Sequence, residues 1–200
     1  MAIQINGNGT ITGISVGGLP DGIVDTDMIA ANAVTAAKAS GLANQGITMF
    51  DQWRFTASPQ GDQEPLSGSW ERNDTSFDKI GSGMSESSGI FTFPTTGIYQ
   101  IHYKINFYSN GSSSAYTGAY FFLSTNSGSS YTQIAYAYDQ LSSISGYFYA
   151  SALGDVAIDV TNASTFRVKL RATMASQSVY VQGNTTQQTT GLTFIRMGST

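Results

Sequence analysis

From Thr48 onward, hydrophobic and polar residues alternate with the period of two that a half-buried strand requires. The clearest case is IYQIHYKINFY. Tyr99, Ile101, Tyr103, Ile105 and Phe107 share one face, and Gln100, His102, Lys104, Asn106 and Tyr108 share the other. TFRVKLRAT repeats the pattern, with Phe166, Val168 and Leu170 inside and Arg167, Lys169 and Arg171 outside. DVAIDV aligns Val156, Ile158 and Val160. MFDQWRF is aromatic and alternating, and Trp70 begins a short strand. AYFFL, YTQIAYAY, SGYFYASAL, SVYVQ and GLTFIRM complete the set. Between them lie stretches such as PQGDQEPLSGS, a loop, and NDTSFDKIGSGMSESSG, rich in turn-forming residues. Strands at about 8–12-residue spacing predict an all-β sandwich or jelly roll of roughly nine or ten strands.

The first 47 residues have a different character. Ala2 to Ile14 reads as a β-hairpin, because alternating β-branched residues flank Asn-Gly pairs. Val16 to Gly22 is loop. Then GIVDTDMIAA, residues 22–31, is echoed by NAVTAAKASG, residues 32–41: Val24 falls on Val34, Met28 on Lys38 and Ile29 on Ala39. Asp25 or Thr26 is suited to cap a short helix that Gly41 would stop. Extended segments that trimerise read the same way, so both conformations stay open. The chain therefore divides into a stem, residues 1–47, and a head, residues 48–200.

Composition narrows the function classes. The chain is 40% hydrophobic and only 11% charged, with 22 Gly, 11 Tyr and 11 Phe. An ordinary domain carries about 25% charged residues, so the surface here is built of hydroxyls, amides and glycine. The net charge is −4 and the nine Lys and Arg are scattered, which argues against nucleic acid. The apolar runs are too short for membrane insertion, and MAIQINGNGT has neither the basic nor the apolar region of a signal peptide. Zero cysteines exclude a disulfide framework. Oligomerisation is the remaining source of robustness.

The segment GIFTFPTTGIYQIHY, Gly89 to Tyr103, resembles the signature of the complement C1q-type head, part of the tumour-necrosis-factor-like jelly-roll superfamily. Phe91, Pro94, Gly97 and Tyr99 carry the likeness, with Ile101 where an aromatic is usual. GLTFIRM is similar to that family's last, central strand. The resemblance covers roughly Met49 to Met197 and implies a homotrimer. In it the sheet containing Tyr99–Tyr108 and Leu192–Met197 packs near the threefold axis, with His102, Lys104, Asn106 and Phe194 as candidate interface residues. The stem repeats resemble those of bacteriophage tail fibres, with Val24, Met28, Ile29 and Val34 as the candidate anchoring residues.

Catalytic chemistry finds little support. Gly13-Ile-Ser15-Val-Gly17 matches a nucleophile elbow, but Gly18, Leu19 and Pro20 prevent the helix that an elbow needs. His102, the only histidine, makes no multi-histidine metal site. Asp25/Asp27, Asp62/Glu64 and Asp155/Asp159 make no EF-hand loop and read as solvated charge. No cofactor is implied. The N-x-S/T sequons at Asn8, Asn73, Asn110, Asn162 and Asn184 read as chance in a hydroxyl-rich chain. What remains is binding. The loops are rich in Ser, Gly, Asn and Tyr, the composition of adaptable contact surfaces, and Tyr116, Tyr131 and Tyr147 flank them. The expectation is a trimeric virion appendage, assembled in the host cytoplasm. Its stem would hold another virion protein and its head would bind a host surface glycan or receptor. The alternative is a capsid decoration trimer.

Overall fold

The computed structural model describes residues 46–142 and 145–200, together with the backbone of residues 4–5 and 11–12. The chain separates into two units, residues 1–45 and 46–200. In the first, β1 (Gln4–Ile5) pairs antiparallel with β2 (Ile11–Thr12), with Ile5 opposite Ile11, as the hairpin pattern predicts. Val24, Met28, Ile29 and Val34, and the choice between helix and extended chain, lie outside the described residues.

The second unit is an all-β jelly roll of two antiparallel sheets, with no helix among the described residues. The first sheet has the order β10-β7-β13-β3-β4: β10 is Tyr147–Val160, β7 Gly97–Asn110, β13 Gly191–Gly198, β3 Met49–Phe55 and β4 Trp70–Arg72. Short β12 (Tyr180–Val181) adds to β7. The second has the order β5-β6-β11-β8-β9: β5 is Ser85–Ser87, β6 Ile90–Thr92, β11 Arg167–Met174, β8 Ser114–Ser124 and β9 Thr132–Leu141. GLTFIRM is thus the middle strand of its sheet, as the resemblance implies. SGYFYASAL and DVAIDV, expected as separate strands, form the single strand β10. Gly154 joins them in extended pairing with Tyr103, leaving space for that ring. The turn-rich segment after Asn73 hides β5, whose Ser-Glu-Ser carries no hydrophobic alternation to betray it.

The alternating residues do what their period dictates. Tyr99, Ile101, Ile105 and Phe107 from β7 face Phe121, Val168 and Leu170 from the second sheet, all fully buried. Each such side chain contributes roughly 1.5–3 kcal/mol by leaving water. Phe91 is a hub, its ring 5.5 Å from Trp53, 5.2 Å from Trp70 and 5.4 Å from Phe194. Gly97 begins β7 with φ +145°, and a Cβ there would lie 2.5 Å from Arg196 Nε. Only glycine permits that approach to β13.

Two charged residues in β3 break the simple pattern. Asp51 lies on the buried face and is fully enclosed. Its carboxylate accepts hydrogen bonds from Trp53 Nε1 at 2.9 Å, Arg72 Nε at 2.8 Å and the Met84 amide at 2.6 Å. Arg54, on the opposite face, is also buried. It donates to Glu71 at 3.0 Å, Asp74 at 2.6 Å and Thr75 at 3.1 Å, and so pins the 71–75 segment over the sheet.

Candidate functional site

The strand registers leave two aromatic faces on opposite outer sides of the sandwich. On the first sheet, β10 and β7 pair so that Tyr147, Tyr149, Leu153 and Asp155 share the outer side with Tyr108, Lys104 and His102. Tyr147, Tyr149, Leu153 and Met197 are each 60–64% exposed. Tyr180, delivered by β12, stacks on Tyr108 at 5.2 Å, and Tyr147 and Tyr149 lie 6.2 and 6.3 Å from the same ring. Beside this cluster is a hollow of about 290 Å³ lined by His102, Lys104, Leu153, Asp155 and Thr193. The register seats His102 between Asp155 and Thr193. Large aliphatic and aromatic side chains are thus mixed on one unpartnered surface.

The candidate interface residues occupy different sides of the sheet. His102 and Lys104 lie on this outer face. Asn106 lies there too, but its own chain engages it. Its amide donates to Thr190 Oγ1 at 3.0 Å, its Oδ1 accepts from Ser151 Oγ at 2.9 Å, and its carbonyl accepts from the Gln182 amide at 2.7 Å. Phe194 does not belong to the face. It is fully buried against Phe91 in the core, because β13 turns its even-numbered apolar residues, Leu192 and Phe194, inward.

The three tyrosines grouped as loop residues also part company. Tyr147 belongs to the face just described, whereas Tyr116 and Tyr131 accompany the second sheet. There β8 and β9 pair with Tyr120 opposite Tyr136 and Gly118 opposite Tyr138. The outer side of β8 therefore shows Tyr116, Gly118, Tyr120 and Phe122. Rings of Tyr120 and Tyr136 stack at 6.0 Å, Tyr136 and Tyr138 meet at 5.3 Å, and Tyr116 and Tyr138 at 5.8 Å. Gly118 makes the seat for Tyr138, since a Cβ there would lie 2.8 Å from that ring. On the far side of β8, β11 presents Arg167, Lys169 and Arg171. Arg171 lies 5.5 Å from the Tyr120 ring and Lys169 4.5 Å from that of Tyr131. Glu64 pairs with both Lys169, at 3.0 Å, and Arg171, at 3.3 Å. Tyr120, Tyr136 and Tyr138 escape sequence reading because pairing of β8 with β9 decides which rings meet. The alternating Tyr136 and Tyr138 in YAY were the available signal.

Tyr120 and Tyr138 also share a hydroxyl–hydroxyl hydrogen bond. That bond, then burial, pushes the Tyr120 hydroxyl up to about 12 from 10.0. The raised value favours the neutral phenol in the folded state. This contribution to stability is therefore complete below pH 10.0 and is lost as pH climbs to about 12. Tyr138→Phe is expected to return Tyr120 toward its ordinary titration near pH 10.0, read as an earlier rise of phenolate absorbance in an alkaline titration. An unchanged titration curve would show that the bond does not hold the proton.

Comparison with known proteins defines the class of fold. The chain is similar to the structure of Eiger TNF from S. frugiperda, with a TM-score of 0.57 and 10% identity, covering 78% of this chain and 96% of that one. It is similar to crystal structures of murine APRIL, with TM-scores of 0.53 and 0.54 at 10% and 11% identity, covering 74% of this chain and 98% of those. The head is a TNF-like jelly roll. No family model matches the sequence, and no curated protein matches it either.

Proposed function

We propose that the chain is a non-enzymatic virion protein that works as a homotrimer, its stem held by another virion protein and its head binding a glycan on the host surface. The observation that carries the trimer is the outer face of the first sheet. Leu153 and the cluster of four tyrosines at Tyr108, with Ile98 at the far end of β7, leave apolar area on this face that a second copy would cover. The TNF-like fold supports this reading, since the resemblance noted in the sequence implies threefold assembly about that sheet. The likeness of residues 22–41 to tail-fibre repeats supports the virion location.

The mechanism is multivalent adhesion. Three weak sites on one trimer, and many trimers on one particle, hold a surface far more tightly than one site alone. No chemical step is required. Among the described residues, no three His, Asp or Glu side chains converge on a metal-sized point.

The test uses the full chain. Light scattering is expected to give three chain masses, and the labelled trimer is expected to adsorb to cells in a panel of bacterial strains. A monomer would overturn the assembly. A trimer that adsorbs to no strain, with antibody-labelled copies spread over the capsid in electron micrographs, would overturn adhesion in favour of a decoration role.

A further inference from the structure

We propose that the outer face of the second sheet is a binding terrace for an acidic polysaccharide. Sugar rings stack on Tyr116, Tyr136 and Tyr138, and the sugar carboxylates meet Arg171 and Lys169. The proposal rests on the adhesion reading above and gives that reading its site and ligand class.

Three observations converge on it. First, the terrace is exposed. Tyr136 and Tyr138 are 60% and 51% exposed and stand on paired antiparallel strands, so their rings are held by a sheet rather than by a loop. An aromatic ring offers rigid apolar area to the C–H side of a sugar, and the tyrosine hydroxyl offers hydrogen bonds to its rim. Gly118 gives this platform its shape, because any larger residue would lift Tyr138 from its place across β8.

Second, charge is concentrated along one border. Arg167, Lys169 and Arg171 are three of the nine basic residues in a chain of net charge −4. On this face Glu64 is their carboxylate partner, shared by Lys169 and Arg171. Arg167 is turned to the carbonyls of Ala163, Ser164 and Phe166, so Lys169 and Arg171 share one carboxylate and leave a local positive excess beside the rings of an otherwise negative molecule, which suits a ligand carrying carboxylates. The cations lie beside the rings, so stacking and charge pairing act on the same ligand.

Third, the two outer faces differ in kind. The first sheet mixes tyrosines with Leu153, Met197 and Ile98, which suits packing against protein. The terrace is made of tyrosine rings and cations, with Phe122 set under Lys169 and Ile134 the exposed large aliphatic at its margin. That composition suits a hydrated, hydroxyl-rich ligand. Nucleic acid also combines stacking with negative charge. The Lys and Arg elsewhere in the chain are scattered and offer no continuous basic track for a nucleic-acid backbone, whereas a carboxylated saccharide needs only the cations beside the rings.

The experiment passes the full-length trimer over immobilised alginate, polygalacturonate, hyaluronan and polysialate, with dextran, mannan and oligodeoxythymidine alongside. Retention on at least one acidic polysaccharide, weakened by salt, is expected, with none on dextran or mannan. Tyr136→Ala and Tyr138→Ala should each weaken that retention about tenfold, as loss of a stacked ring does. Native mass and the β-sheet circular dichroism spectrum should stay unchanged in both variants. Arg171→Gln should weaken binding and flatten its salt dependence, and Arg171→Lys should restore part of both. Retention on no acidic polysaccharide, on the neutral polymers, or on the oligonucleotide alone would overturn the proposal. So would binding indifferent to Tyr136→Ala and Tyr138→Ala, or concentration-dependent growth beyond three chains that those substitutions abolish. The cell assay separates this failure from that of the adhesion reading. If terrace variants adsorb to cells as well as the wild type, adhesion stands and the terrace falls. If the wild type binds an acidic polysaccharide through these tyrosines but adsorbs to no strain, the reverse holds.

Discussion

Replacing Asp51 with alanine is expected to cost about 3–5 kcal/mol, the penalty for removing one partner of a buried charge pair. At roughly 2–4 °C per kcal/mol for a unit of this size, the melting temperature should fall by about 6–20 °C. The expectation comes from what the side chain leaves behind. Asp51 is fully enclosed, and its two oxygens serve the Trp53 indole, the Arg72 guanidinium and the Met84 amide at once. Trp53 belongs to β3, Arg72 to β4, and Met84 stands at the entrance to β5 of the other sheet. One carboxylate thus ties together the open edge of both sheets. Without it, an indole N–H, an amide and a cation lose their acceptor, and each unsatisfied group costs more than its bond contributed. Asp159→Ala, at an exposed position on β10, should change stability by less than about 0.5 kcal/mol. In the Asp51→Ala background, Arg72→Ala should cost less than it does alone, since the cation has already lost its partner. Thermal unfolding of the four variants, read by circular dichroism, decides the matter. An Asp51→Ala protein that melts with the wild type would remove the carboxylate from any structural role.

Why the sequence concealed Asp51 is instructive. The alternation in MFDQWRF was legible and predicted a strand correctly. The period also assigns Asp51 to the same face as Met49, Trp53 and Phe55, but a carboxylate on an apolar face is normally taken as evidence of exposure. Its partners settle the question, and they lie 21 and 33 residues further along the chain. Arg54 is hidden for the same reason, with its carboxylates at positions 71 and 74. Periodicity is local, whereas burial of a charge depends on contacts between distant segments.

The same division runs through the candidate site. The β7 pattern separated His102 and Lys104 from Tyr99 and Ile101 without any structure, because fourteen residues of clean alternation fix the faces. Phe194 lies in the expected sheet but on its inner face, because membership of a sheet does not fix which side a residue occupies. A register shift of one residue exchanges the two. The terrace was legible only in fragments. AYFFL and YTQIAYAY each read as strands, yet neither shows that they are neighbours or that β11 borders them with cations. Even the spacing inside the pair is irregular: the register shifts between Phe121 and Phe122, so Phe122 meets Gln133 rather than Ile134. Such a bulge re-aims the side chains beyond it and leaves no composition signal.

A double replacement on the first sheet, Tyr149→Asp with Leu153→Asp, is expected to convert the proposed trimer into monomers. Both side chains are more than 60% exposed in the single subunit, so the monomer itself should keep its β-sheet circular dichroism spectrum. In the assembly the same positions would be covered: the carboxylate at position 149 would be taken from water beside Tyr108 and Tyr147, and the one at position 153 would replace an apolar contact with a charge that Lys104, its cross-strand neighbour, only partly offsets. A penalty of only about 3 kcal/mol per contact already raises the dissociation constant by roughly two orders of magnitude. Light scattering at micromolar concentration should therefore fall from three chain masses to one. Tyr136→Asp, on the opposite face, should leave three chain masses unchanged, which makes the result specific to the side of the sandwich rather than to the loss of a tyrosine. The two faces would then be separable in function as well. Monomers with an intact terrace should still bind an acidic polysaccharide one site at a time, but adsorb poorly to cells, because avidity disappears with the assembly. A double variant that remains at three chain masses would move the threefold contact to another surface and leave this cluster of tyrosines without a partner in the trimer.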